Sequence, residues 1–328
     1  MKLFVLMILL LGSCLLGLSQ TKNEIEFDLS AFAAAENMNP QQTFEETISE
    51  IKGKYNSDIQ RLFLICGWFY YHVDFDINKF ENGGEAGTYR QMYAKRKGVC
   101  EDYARLFSEF CNRLEIKNFC IEGYAPGYNG NIPKIYHETN HMWNVVLLDT
   151  VWYHCDLLKV SGYIKNSIID GWVFEKELVD KYFLTCDPYL FSVQLPADPM
   201  WQFLEHPYSM DDFVQQRIIE DQQTESDYFN YKDSVKVFSA LNSKDQVIKY
   251  ANNAYLFNAN NHNVIVTTHY NQAVDIYNRN KGNKPKLQEA KTLLQKAMEH
   301  LPNAYGHTRG IKPYIQQALQ AVESLINR

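Results

Sequence analysis

Gly98-Val99-Cys100-Glu101-Asp102-Tyr103-Ala104 opens a stretch in which Leu106, Phe107, Phe110, Cys111 and Leu114 follow Tyr103 at i+3, i+4, i+7, i+8 and i+11. That period predicts an amphipathic helix with Cys100 at its start. Further on, two alternating apolar runs, 141–148 and 151–156, flank Asp149-Thr150 and predict a β-hairpin. If Leu148 and Val151 pair across a two-residue loop, Trp143 faces Asp156 and His141 is the diagonal neighbour of Asp156 on the same face. Any even loop length keeps that parity. An odd loop or a bulge would turn the carboxylate to the opposite side.

These three positions have the chemistry of an activated thiol. A cysteine nucleophile needs a helix start or a cation that favours thiolate, a base within reach, and a group that orients the base. Cys100 follows glycine at a helix N-terminus, with Lys95, Arg96 and Lys97 just before it. His141 is the candidate base and Asp156 the candidate orienting carboxylate. Cys66, Cys111, Cys120 and Cys186 read instead as small core residues. His137 and His154 read as strand or surface histidines, and Glu101 and Asp102 as first-turn acids that the helix dipole alone explains. Gln91 is the candidate second oxyanion donor. Trp143 and Tyr103 are candidates for the substrate cleft, although a strand tryptophan is more often core.

Around this centre, 44–61 is helix-compatible and 62–73 continues it as an aromatic-rich helix. Residues 81–88 form a glycine-rich loop, 119–124 a strand and 126–133 another loop. From about Asp211 the pattern turns helical, with apolar stripes over 247–257, 266–277, 287–301 and 315–326 separated by Asn- or Pro-containing turns. The stretch 290–302 looks like half of a tetratricopeptide-type hairpin, without a second copy at the expected period. The predicted division is 1–19 signal peptide, 20–48 lead segment, 49–210 α+β domain and 211–328 helical region.

Met1 and Lys2 precede an uncharged apolar run from Leu3 to Leu18, and Gly17 and Ser19 stand at −3 and −1 of a cleavage site after Ser19. The chain is therefore expected to be exported. A rival reading makes Leu11-Gly12-Ser13-Cys14 a lipoprotein box with Cys14 as the lipidated residue. No later run reaches the length of a membrane span. The cysteines left after cleavage are even in number, which invites a disulfide reading, but no CxxC pair occurs, so thiolate zinc and thioredoxin-type sites lack their signature. A net charge of −7 argues against a nucleic-acid partner, and 46% hydrophobic with 14% aromatic residues argues against disorder.

The quoted Cys100 segment, His141-Met142-Trp143-Asn144 and Trp152-Tyr153-His154-Cys155-Asp156 together resemble the Cys, His and Asp segments of the transglutaminase-like superfamily. Trp68-Phe69-Tyr70 through Asp76 resembles the helix before the nucleophile. Tyr182-Phe183-Leu184-Thr185, Asp187-Pro188 and the stretch from Leu195 to Leu204 resemble the segment after the Asp in the kyphoscoliosis-peptidase-like branch. The resemblance covers about 50–210 and implies a papain-like α+β core, with Cys100 as nucleophile, His141 as base and then acid, and Asp156 as orienting group. It implies no cofactor and no metal: the paired CxxC zinc of peptide N-glycanases and the acidic calcium loop of animal transglutaminases are missing. The expected activity is acyl transfer on protein or peptide amides, with peptidase favoured by the branch. Crosslinking or deamidation by the same triad is an alternative. Another is a non-catalytic scaffold whose C-terminal helices dock a protein partner.

Overall fold

The structure, a computed structural model, describes residues 25–84, 86–127, 130–167, 171–217 and 228–327. The signal-peptide and Cys14 readings lie outside the described residues.

The chain begins with α1 (Leu29–Ala33), α2 (Phe44–Lys54) and α3 (Asp58–His72). Thr43 starts α2 with a capping box: its hydroxyl accepts the Glu46 N–H at 3.3 Å, and Glu46 Oε2 accepts the Thr43 N–H at 2.8 Å. The continuous helix expected over 44–73 is two helices. Tyr55 is extended at φ −137° and ψ 143°, and Arg61 Nε caps its carbonyl at 2.9 Å. Leu62 to Phe69 of α3 are buried on every side of the helix, so α3 is the central rod of the core. The strand β1 (Asp74–Phe75), helix α4 (Ile77–Asn82), helix α5 (Tyr89–Lys95) and strand β2 (Lys97–Gly98) follow, with β1 and β2 pairing in parallel. They lead into α6 (Cys100–Arg113), whose Leu106, Phe107, Phe110 and Cys111 are buried as the period requires.

A five-stranded sheet lies beside α6. It is built from β3 (Asn118–Tyr124), β4 (His141–Leu148) and β5 (Val151–Cys155). After β5 come α7 (Leu157–Ser161), the hairpin β6 (Gly162–Ser167) and β7 (Gly171–Lys176), then β8 (Phe183–Thr185) and β9 (Leu195–Pro196). The sheet order is β8-β5-β4-β3-β9, antiparallel throughout. Leu148 pairs with Val151 and Asn144 with Cys155, the register expected from a two-residue loop; Asp149 in that loop takes φ +52°. The short β1, β2, β8 and β9 were not legible, because two or three residues carry no period; the six-residue strands of the β6–β7 hairpin are a further addition.

Beyond α8 (Met210–Val214) the chain is all-helical: α9 (Tyr231–Ala240), α10 (Ser243–Phe257), α11 (His262–Arg279), α12 (Lys284–His300) and α13 (Lys312–Ile326). Leu287, Ala290, Leu294 and Ala297 of α12 meet Val266 and Ile276 of α11 and Ile315 and Val322 of α13 in a separate apolar core. All four expected helices begin a few residues early, and Asn242, Asn261 and Asn283 cap three of them, each accepting an N–H three residues on. Among the described residues no helix is long and apolar enough to cross a membrane.

Two helical glycines have opposite roles. A Cβ on Gly67 of α3 would lie 2.0 Å from the Phe32 carbonyl oxygen, so α1 rests on α3 only because Gly67 lacks one; a Cβ on Gly53 of α2 meets nothing within 4 Å. Gly67→Ala should lower stability by about 1–3 kcal/mol or more. Gly53→Ala should raise it by roughly 0.5 kcal/mol. Thermal denaturation of the two variants against wild type measures both signs.

Candidate active site

The site is assembled where α6 begins and where β4 starts beside the end of β5. Asn144, buried on β4, donates from Nδ2 to the Ala104 carbonyl of α6 at 3.0 Å, which fixes the helix against the strand three residues from His141. His141 Nε2 and Asp156 Oδ2 are 2.6 Å apart in a buried pair. A carboxylate only accepts, so Nε2 carries the proton and Nδ1 is left to serve as a base. Cys100, half-buried at the first position of α6, is near enough to help raise the same imidazole. The register argument therefore brings His141 and Asp156 together beside the helix that begins at Cys100.

The charges follow from burial and pairing. Burial by itself would pull the His141 imidazole down, but Asp156 beside it and the Cys100 thiol more than offset that and hold it at about 9. Burial would raise Asp156, yet His141 and Lys159 keep its carboxyl below the usual range. Lys159, in the first turn of α7, is brought down to about 8 by burial, against the pull of Asp156 and Cys100. Its ammonium donates to the Val193 carbonyl at 3.1 Å and lies over the Tyr182 ring at 5.3 Å. Asp156 also accepts the Lys159 N–H at 3.1 Å as the N-cap of α7. One carboxylate thus orients the imidazole and starts a helix.

Under the imidazole lies a stack of rings. Trp143 packs against His141 with centroids 5.5 Å apart and planes inclined by 23°. Its indole N–H donates to Nδ1 of His154 at 2.9 Å. Burial drives His154 down to about 3, so it is a neutral acceptor and not a second base.

Several expectations change here. Trp143 and Tyr103, expected on the cleft wall, are each 1% exposed. Trp143 supports His141 from beneath, and Tyr103 packs on Phe69 in the core, so neither has a face to offer a substrate. The side-chain oxygen of Gln91, expected as an oxyanion donor, accepts from the Thr88 N–H at 2.9 Å in the capping box of α5, on an exposed surface. The basic run before Cys100 is also engaged elsewhere: Arg96 lies over the rings of Tyr93 and Trp68, and Lys97 is 3.8 Å from Asp76. None of the six described cysteines is in a disulfide, and burial pushes Cys66, Cys111 and Cys155 up. Among the described residues no group of three or more His, Cys, Asp or Glu side chains is arranged to hold a metal. Lys159, Asn144 and His154 were missed as members of the site. Asn144 stood in the quoted His-Met-Trp-Asn segment, but nothing in a sequence says that its amide reaches Ala104.

A cysteine at a helix start and a His–Asp pair on neighbouring antiparallel strands are what the resemblance to the transglutaminase-like superfamily implies. Residues 45–157 match the model of the transglutaminase-like superfamily. It is 25% identical over 183 residues to the kyphoscoliosis peptidase of Mus musculus, covering 55% of this chain and 27% of that protein. It is 26% identical over 172 residues to the Homo sapiens protein of the same name, covering 52% and 25%. Hillarin of Drosophila melanogaster is 24% identical over 200 residues, covering 58% and 24%. The chain spans about a quarter of the length of these relatives.

The pair has a defined pH window. His141 is raised above its ordinary value, so its contribution to stability is complete below about 6.5 and is lost as pH rises through about 9. Asp156 is lowered, so its contribution is present above the ordinary carboxylate value and is lost as pH falls through the depressed one. Asp156→Asn should drop the imidazole pKa by about two units or more, because burial then acts with no carboxylate against it. An NMR titration of the His141 ring measures the drop; an unchanged value near 9 would show that Asp156 does not set it.

Proposed function

We propose that this protein is a thiol acyl-transfer enzyme acting on protein or peptide amides, and in its main activity a cysteine peptidase. The observation that carries the reading is the buried 2.6 Å His141–Asp156 pair next to the helix that Cys100 begins. With His141 protonated near neutrality, the resting site is an imidazolium beside a sulfur at a helix start, the setting in which a thiolate is favoured. The Cys100 sulfur attacks the amide carbonyl, and the carbon–oxygen double bond becomes an oxyanion. The Cys100 N–H, at the first helical position and so without an intrahelical acceptor, stabilises it. His141 gives its proton to the leaving nitrogen, the carbon–nitrogen bond breaks, and a thioester remains. His141 Nδ1 then takes a proton from water as the water attacks, which frees a carboxylic acid and restores the thiol. Asp156 holds the ring throughout.

The same thioester could be opened by an amine to give a crosslink, and a glutamine side chain in place of a peptide bond would give deamidation. Peptidase is preferred because two of the relatives carry the name kyphoscoliosis peptidase. Export, read from residues 1–19, is part of the proposal and would put the activity outside the cytoplasm.

Iodoacetamide labelling across pH 5–9, mapped by peptide mass spectrometry, tests the nucleophile. Cys100 should react about tenfold faster than the exposed Cys186 below pH 7, and His141→Ala should remove the difference. Wild type should cleave a fluorescein-labelled casein that Cys100→Ala leaves intact. Labelling of Cys100 no faster than Cys186 would favour the non-catalytic scaffold.

A further inference from the structure

Asp102 was read from the sequence as an ordinary first-turn acid. A helix dipole asks only for a negative charge near the N-terminus, and Glu101 on the same turn meets that need from a solvent-facing ion pair with Arg105. Asp102 is different. Its side chain is 4% exposed, and its two oxygens accept from three segments of chain. Oδ1 takes the Gly87 N–H at 2.9 Å, from the glycine-rich loop. Oδ2 takes the Val99 N–H at 2.9 Å and the Lys79 ammonium at 2.7 Å. Lys79 comes from α4, which Asp76 starts by accepting the Lys79 N–H at 3.1 Å. Gly98 makes the approach possible: a Cβ there would fall 2.5 Å from Asp102 Cβ and 2.6 Å from Met92 Sδ.

We propose that Asp102, held by Lys79, is a positioning residue for the Cys100 thiol, locking the peptide before Cys100 and the loop at Gly87 into one unit. This rests on Cys100 being the nucleophile. The carboxylate binds the amide one residue ahead of the thiol, so it fixes where the first turn of α6 begins. It is fully committed to Gly87, Val99 and Lys79 and leaves the Cys100 N–H open to an oxyanion. Lys79 neutralises a buried negative charge that would otherwise stand beside the sulfur. The other charges around this turn are the His141–Asp156 pair, Lys159, the Glu101–Arg105 pair and the Lys97–Asp76 pair.

A purely structural carboxylate would give variants that lose stability alike. A positioning ion pair beside the thiol gives shifts of opposite sign. Asp102→Asn leaves the Lys79 charge unpaired, so the midpoint of Cys100 alkylation against pH should fall by about half a unit. Lys79→Met leaves Asp102 unpaired, so the midpoint should rise by a similar amount, and Lys79→Arg should restore it. Both damaging variants should lower kcat on labelled casein by about tenfold with little change in KM, since the loss falls on the reacting geometry. Lys79 is the more exposed partner, so its variants keep the test available if Asp102→Asn does not fold. If Cys100 labelling in wild type does not depend on His141, the nucleophile reading fails. If it does, and folded Lys79→Met keeps the wild-type midpoint and kcat, the positioning role is overturned alone.

Discussion

The hydrogen bond between His141 and Asp156 exists only because the β4–β5 hairpin closes with an even loop. Leu148 pairs with Val151 across Asp149 and Thr150, and every pair below inherits that parity down to Asn144 and Cys155. One residue more in the turn would send Asp156 to the other face and bury a carboxylate with no imidazole beside it. The same parity sets Trp143 under the His141 ring and brings its indole N–H to His154. Asn144, the next residue along, faces the opposite side and ties the strand to α6. A two-residue turn thus decides both the orientation of the base and its distance from the helix that bears the thiol.

Such a centre carries charges in a dry place, and its stability comes from pairing. Asp156 has the imidazole on one oxygen and the first amides of α7 on the other. Lys159 has Val193 and the Tyr182 ring. Removing one partner would leave a buried charge uncompensated, which costs more than the pair contributes. The contrast is with Cys66, Cys111 and Cys155: these thiols are buried with no cation to favour thiolate, and burial pushes them up and out of reach of chemistry. Cys100 differs from them in place, at a helix start beside the strand that carries His141.

The parts of the site legible in the sequence were those with a period or a parity. Leu106, Phe107 and Phe110 announce α6, and alternation over 141–148 announces β4, so the start of the helix at Cys100 and the His141–Asp156 pair follow from the pattern. Groups whose role is set by the far end of a long side chain were not legible. Lys79 reaches Asp102 across 23 residues, and nothing local distinguishes it from Lys95 to Lys97, which look nearer in sequence but are turned away. Trp143 and Tyr103 were misjudged for a related reason. Alternation says that a residue points to one face of a sheet, but not whether that face is roofed by a helix or open to a cleft.

The asparagine-rich turn between α10 and α11 was read only as a separator, and this conceals its main work. Asn258 donates to the Tyr136 carbonyl at 2.9 Å, Asn261 to the Tyr124 hydroxyl at 3.2 Å and Asn263 to Glu138 at 2.9 Å. All three asparagines are buried, where an unpaired amide would be costly, so the contacts hold the helical region and the segment before His141 in a single arrangement. Asn140 completes the restraint by exchanging two hydrogen bonds with the Ala125 backbone, at 2.7 and 2.8 Å. The chain entering β4 is therefore fixed from the C-terminal helices on one side and from β3 on the other. The face of α10 and α11 that a sequence-based view would leave free for a partner is already occupied by the domain that bears the site, so the C-terminal helices act on His141 from within the molecule.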